Sequence, residues 1–122
     1  MTIFEKSKNT SQFPRVLLVF GNSRSGLAIA RSLFKIGLEV HNVRINNSKS
    51  AIDYSNSIKS SFFIGDVFSE FYDVFNQLSL VIEDYDIVIP VNDAAYELCF
   101  RLRENIQGSK FDLMPEEKSY RL

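Results

Sequence analysis

The sequence predicts an α/β fold in which an open, mainly parallel sheet of about five strands carries helices on both faces. Short apolar runs that suit buried strands alternate with segments whose apolar residues recur at helical spacing. Consecutive strands are then joined by crossover segments, which is the connection that parallel strands require. The predicted strands are Arg15–Phe20, Leu38–Val43, Ser61–Ile64, Tyr85–Pro90 and Phe111–Met114.

Three main helices are predicted between these strands. The first follows the turn Gly21–Gly26 and ends at Gly37, a residue that suits a helix C-terminus. The third begins at Asn92 or Asp93, either of which can cap it, and ends at Gly108. The second carries an apolar stripe that we expect in the core, made of Phe68, Phe71, Tyr72, Phe75, Leu78 and Ile82.

Length and composition indicate one domain, residues 15–122, preceded by a flexible arm, residues 1–14. Fourteen basic residues against fifteen acidic ones give a formal charge of −1, which argues against a nucleic-acid partner. No apolar run is long enough to cross a membrane. The single cysteine, Cys99, excludes an internal disulfide and fits a reducing compartment, so we expect a cytoplasmic protein.

The turn after the first strand has the spacing of a phosphate-binding loop without all of its usual residues. Gly21 and Gly26 take the first and last glycine positions of the dinucleotide motif G-x-G-x-x-G, but Ser23 replaces the middle one. A Cβ at that position opposes the close approach of a pyrophosphate. The acidic residue that would bind a ribose is also missing, because the second strand ends in Asn42–Arg44.

Polar residues of this turn still form a candidate substrate site, because the free N–H groups of a helix start favour an anion or a carboxylate. The candidates are Gly21, Asn22, Ser23, Arg24 and Ser25. The alternative is that Ser23 or Ser25 only caps the helix. Asn92 and Asp93 form a second group, which would face the same crevice if the fourth strand lies beside the first. There too, the alternative is a helix cap.

The other residues that could carry chemistry are expected to be structural. His41 has no Cys or His neighbour at metal-ligand spacing, and Cys99 lies on the apolar face of its helix. Asp84 and Asp86 are expected in solvent, at the end of the fourth strand opposite the crevice. No Ser-His-acid or Cys-His arrangement is indicated, so the sequence predicts neither a catalytic residue nor a metal site.

Three segments, taken in order, resemble the N-terminal preATP-grasp domain of ATP-grasp ligases. They are VLLVFGNSRSGLAIARSLFKIGLEVHNV, YDIVIPVNDAAYELCFRL and PEEKSYRL, and Ser50 and Tyr54 match a Ser/Tyr pair of that family. Within that family, the three segments are most similar to the carbamoyl-phosphate-synthase-like members, which join a carboxylate to an amine. The resemblance covers Arg15–Leu122 and implies a Rossmann-like, three-layer domain.

The resemblance also implies that two domains bind different reactants. ATP and magnesium would bind in a downstream ATP-grasp domain, into which a helix opened by Pro115–Glu117 would lead. This chain would then be a fragment, inactive and without a cofactor by itself. It would form one wall of the cleft, with Gly21–Arg24, Asn92 and Asp93 touching a small carboxylate or amine substrate. The partners implied are that substrate and the ATP-grasp domain, and a homodimer stays open.

Two alternative functions stay open from the residues themselves. A stand-alone Rossmann-type module that senses NADP or an adenine nucleotide would use Gly21, Gly26 and Arg44, the last of which could meet a 2′-phosphate. A non-catalytic interaction domain would use the same fold only as a scaffold.

Overall fold

A four-stranded parallel sheet forms the centre of the computed structural model, which describes residues 14–106 and 110–115. Its strands are β1 (Arg15–Val19), β2 (Glu39–Arg44), β3 (Ser60–Phe63) and β4 (Ile87–Pro90). Their order is β3-β2-β1-β4, and all three pairings are parallel. The predicted α/β class with an open parallel sheet is confirmed, with four strands instead of about five.

Helices cover both faces of this sheet. They are α1 (Arg24–Lys35), α2 (Phe71–Val81) and α3 (Asp93–Asn105), with a short 3-10 turn at Ala51–Tyr54. Side chains of β1 alternate between the faces: Val16 and Leu18 pack with Ala30 of α1, whereas Leu17 and Val19 join the larger cluster formed with α2 and α3. The fold is therefore Rossmann-like, with three layers and two apolar clusters.

The predicted fifth strand, Phe111–Met114, is wrong, because this segment forms consecutive turns. It does run beside β4, since the N–H of Val88 donates to the carbonyl oxygen of Lys110 at 2.9 Å. The N–H of Met114 then bonds back to the carbonyl oxygen of Phe111 at 3.0 Å, which curls the chain. Both Phe111 and Met114 are buried in the larger cluster, so core packing accounts for an apolar run that resembles a strand.

The apolar stripe predicted for the second helix is wrong at two positions. Phe68 and Tyr72 are each 76% exposed, and the buried face of α2 is made by Val74 and Leu78. The reason is a turn before the helix, in which Asp66 accepts the N–H of Phe68 through its side chain at 2.9 Å. This turn delays the helix start to Phe71 and leaves Phe68 outside the core.

Some predicted features lie outside the described residues: most of the arm, residues 1–13, the helix end at Gly108, and the helix following Pro115. Pro14, the last residue of the predicted arm, is described and extends the sheet, because its carbonyl oxygen accepts the N–H of Glu39 at 3.1 Å. In the ranges 14–106 and 110–115, no helix has the length and apolar character needed to cross a membrane.

Candidate functional site

The two predicted groups of polar residues meet at the carboxyl edge of the sheet. β4 lies beside β1, with Val19 opposite Pro90, and the N–H of Val91 donates to the carbonyl oxygen of Val19 at 3.1 Å. The loops that lead into α1 and α3 therefore leave the sheet side by side. Strand order reverses at this point, because β2 lies on the other side of β1. Open α/β sheets bind their ligands at such a crevice.

Ser23 and Asn92 are the N-caps of the two helices that start here. The Ser23 hydroxyl accepts the N–H of Gly26 at 3.1 Å, and Asn92 Oδ1 accepts the N–H of Ala95 at 2.8 Å. Both residues have the extended backbone typical of an N-cap. The side chains of Ser23 and Asn92 thus cap the two helices. The backbone N–H groups that remain for a ligand belong to the first helical residues.

Two glycines allow the tight loop after β1. A Cβ at position 26 would lie 2.1 Å from the carbonyl oxygen of Gly21, so α1 can approach the loop only with glycine there. A Cβ at position 21 would lie 2.6 Å from Oδ1 of Asn42. Phe20, just before them, has a φ of 61°, an uncommon value for a bulky residue. The chain therefore makes a tight turn between β1 and α1 in which glycine is needed at both positions.

The chain's own side chains, however, occupy the inner side of this loop. The N–H of Gly21 donates to Oδ1 of Asn42 at 2.8 Å. Asn42 is fully buried on β2, and its Nδ2 donates to the Ser61 hydroxyl at 3.3 Å. The side-chain amide of Asn42 thus lies near the end of β2 and holds the loop. In a dinucleotide site, this place is taken by a carboxylate that binds the ribose. This arrangement does not offer the N–H of Gly21 to a pyrophosphate.

A network of hydrogen bonds ties the ends of β1, β2 and β3 together. Asn22 accepts the N–H of Ile45 at 3.2 Å through Oδ1 and donates to the Ser50 hydroxyl at 3.3 Å through Nδ2. The N–H of Ser50 donates to Asp53 Oδ2 at 2.6 Å, and Asp53 Oδ1 accepts the hydroxyl of Ser61. Asn22, predicted to touch a substrate, therefore braces this edge of the sheet.

Asp53 and Arg44 are the charged members of this network. The Asp53 side chain is only 2% exposed, and its Oδ1 lies 3.8 Å from Nη1 of Arg44. Burial raises the pKa of Asp53, but hydrogen bonds from Ser61 and Ser50 and the charge of Arg44 outweigh it, so the pKa falls below its usual value. Arg44 also donates to the carbonyl oxygen of Ser61 at 3.2 Å. Nη1 of Arg44 is thus engaged within the domain, whereas its buried Nε has no hydrogen-bond partner.

The two residues of the Ser/Tyr pair suggested by the resemblance have different surroundings. Ser50 belongs to the hydrogen-bond network, whereas Tyr54 is 75% exposed. The ammonium group of Lys49 lies 5.9 Å from the centre of the Tyr54 ring.

Arg24, Ser25 and Asp93 are exposed at the two helix starts. A cavity of about 280 Å³ lies along the first turns of α3. It is lined by Val67, Phe68, Phe71, Ala94, Glu97 and Arg101. The crevice thus combines the guanidinium of Arg24, the hydroxyl of Ser25 and the carboxylate of Asp93 with the positive ends of two helices.

A polar group that sequence analysis did not anticipate lies at the opposite, amino edge of the sheet. His41 bonds to the Ser60 hydroxyl through Nδ1 and to Glu39 Oε2 through Nε2 at 2.7 Å, and Arg15 Nε bonds to the same carboxylate at 2.8 Å. The pattern E-x-H in β2 could have indicated that Glu39 and His41 share a face. The placement of Ser60 depends on the register of β3, which no local pattern reveals.

Asp86, expected in solvent, is instead half-buried and bonded to β1. Its Oδ2 accepts the backbone N–H of Arg15 at 2.8 Å, and the N–H of Asp86 donates to the carbonyl oxygen of Arg15 at 2.9 Å. This pair of bonds fixes the amino ends of β1 and β4 against each other.

Neither a family model nor a curated protein matches this chain. Within the described ranges, no three His, Cys, Asp or Glu side chains are grouped to hold a metal ion.

Proposed function

We propose that this chain is the substrate-side domain of an ATP-dependent ligase that activates a carboxylate as an acyl phosphate and joins it to an amine. The observation that carries the proposal is the side-by-side start of α1 and α3 at the carboxyl ends of β1 and β4. The resemblance to preATP-grasp domains supplies the reaction class. ATP and magnesium would be held by a separate ATP-grasp domain, against which this crevice forms one wall.

Arg24 is the residue that we expect to hold the substrate carboxylate. It is exposed at the first position of α1, where its charge adds to the positive end of the helix. Its guanidinium can form two parallel hydrogen bonds with a carboxylate. Asp93 places an opposite charge at the start of α3, which favours a substrate with both a carboxylate and an ammonium group, such as an amino acid.

A nucleotide-sensing role has less support. The N–H of Gly21 is bonded to Asn42, and Arg44, the candidate for a 2′-phosphate, is paired with Asp53. Calorimetric titration of this chain with NADPH, NADH and ATP tests the point directly. We expect no heat of binding at millimolar ligand, whereas saturable heat with any of the three would favour the sensor.

The test of the ligase proposal uses the natural gene product with ATP, magnesium ions and hydroxylamine, which traps an acyl phosphate as a hydroxamate. The twenty amino acids and a set of small dicarboxylic acids serve as substrates. For the acid that reacts, we expect Arg24→Gln to raise KM for the carboxylate on the order of tenfold, because one charge-assisted contact is lost. KM for ATP should stay unchanged.

Arg31→Gln is the matched control, because Arg31 is exposed on the same helix, two turns further from the crevice. It should leave both KM values unchanged. The proposal fails if the natural protein forms no hydroxamate with any of these acids, or if the two variants behave alike.

A further inference from the structure

A serine, a histidine and a glutamate form a hydrogen-bonded row at the amino edge of the sheet. His41 lies opposite Ser60 in the β2–β3 register, and Glu39 shares the face of His41 two residues earlier. We propose that Ser60 is a nucleophile for acyl transfer, with His41 as its general base and Glu39 as the positioning residue, and that the row hydrolyses small activated carboxylic esters. This activity is independent of the crevice at the other edge.

The hydrogen bonds determine which nitrogen of His41 carries the proton. An ionised Glu39 can only accept hydrogen bonds, so Nε2, 2.7 Å from its carboxylate, carries the hydrogen. Arg15 Nη2, which can only donate, also approaches Nε2, but at 3.5 Å this is the weaker of the two contacts. In the neutral ring Nδ1 is then bare and accepts the hydroxyl of Ser60. This is the state that a general base requires before it takes a proton from a nucleophile.

Burial of His41 and hydrogen bonds to Glu39 favour that state near neutral pH. Burial is the main cause that lowers the pKa of His41, and Arg15 and Lys59 lower it further, while the bond to Glu39 opposes them. Burial raises the pKa of Glu39, but bonds from His41 and Arg15 outweigh it, and the pKa is lowered. Tyr85 packs edge-on to the imidazole at 5.2 Å and fixes its orientation.

Ser60 is accessible to a substrate. It is exposed, and β3 is an edge strand of the described sheet. The N–H of Lys59 faces β2, where it donates to Val40 at 2.7 Å. Because N–H groups alternate along a strand, that of Ser60 faces the open edge and can donate to an oxyanion.

The reaction balances with water as the only co-reactant. Ser60 Oγ attacks the carbonyl carbon while His41 Nδ1 takes its proton. The bond from that carbon to the leaving alkoxide then breaks, and the alkoxide receives the proton. Water attacks the acyl-serine in the same way, so that one ester and one water give one acid and one alcohol, and Ser60 is restored.

The experiment exposes the full chain to a fluorophosphonate probe and measures hydrolysis of 4-nitrophenyl acetate. We expect the probe on the peptide that contains Ser60, and a hydrolysis rate that falls at least about tenfold in Ser60→Ala, within the range for an activated nucleophile and its base. Ser32→Ala, at an exposed serine of α1, is the control and should keep both labelling and rate. Circular dichroism checks that both variants fold.

Glu39→Gln separates a positioning role from a structural one. The amide oxygen can still accept from Nε2 of His41, but the charge that raises the pKa of His41 is gone, so the acidic limb of the rate profile should move to lower pH. The proposal is overturned if the probe labels other residues only, if Ser60→Ala hydrolyses the ester at the original rate, or if Glu39→Gln leaves the acidic limb in place.

Discussion

Gly26 and Asn42 hold the loop after β1 from two sides. Gly26 lets α1 touch the carbonyl group of Gly21, and Asn42 binds the N–H group of the same residue. The spacing of Gly21 and Gly26 predicted this loop, because the signal lies within a few residues of the chain. The role of Asn42 could not be predicted, because it depends on the register that places Leu18 of β1 opposite Asn42.

Replacing Gly26 by alanine should destabilise the domain by about 2–3 kcal/mol, the usual cost of forcing extra atoms into a packed site. The new Cβ would lie 2.1 Å from a backbone oxygen, so the loop or α1 must shift. Urea unfolding followed by circular dichroism measures the change. Ser32→Ala on the exposed side of α1 should stay within about 0.5 kcal/mol of the original chain. Equal stability of the two variants would contradict the close approach.

At the scale of elements, local patterns predicted β1 to β4 and the helices between them, although with shifted ends. Phe111–Met114 was predicted as a strand because an apolar run of four residues suits a buried strand and a buried turn equally well. The start of α2 was missed because the turn at Asp66 delays the helix to Phe71. In both cases a local hydrogen bond decides the structure, and the spacing of apolar residues in the sequence does not reveal such a bond.

The cap of α3 gives a prediction at this scale. Asn92→Ala removes the acceptor for the N–H of Ala95 and should lower the free energy of unfolding by about 1 kcal/mol, whereas Asn92→Asp keeps an acceptor and should cost less. Thermal or urea unfolding of both variants measures this. Asn105→Ala, at the exposed end of the same helix, should change it by less than about 0.5 kcal/mol. A loss for Asn105→Ala as large as that for Asn92→Ala would argue against the cap.

At the scale of the whole molecule, both edges of the sheet depend on the charge state of buried groups. His41 lies at the amino edge, and Asp53 lies at the carboxyl edge. Each has a pKa below its ordinary value, 6.5 for histidine and 3.8 for aspartate. The unfolded chain therefore binds protons at a higher pH than the folded one at both places, which makes folding weaker in acid.

We expect the free energy of unfolding to fall in two stages as the pH is lowered. The free energy of unfolding begins to fall near the ordinary pKa of histidine, 6.5, because unfolded chains bind a proton there. Folded His41, with its lowered pKa, still stays neutral at that pH. Glu39, which also has a lowered pKa, adds to the fall in the free energy of unfolding from about pH 4.5, the ordinary pKa of its side chain. The second stage itself begins near pH 3.8, the ordinary pKa of aspartate, as Asp53 of the unfolded chain binds a proton. Urea midpoints across this range measure both stages. His41→Gln should remove the first stage and Asp53→Asn should weaken the second, and a pH-independent midpoint would contradict both.

The strand order has a consequence for the way the chain is made. β1 lies inside the sheet, yet its partner β4 comes late: Arg15 and Asp86, which join their amino ends, are 71 residues apart. While the ribosome is still producing the residues between them, β1 can pair only with β2, and the backbone N–H and C=O groups on its other side stay unpaired. We therefore expect nascent chains that stall before residue 90 to aggregate more readily than the full 122-residue chain.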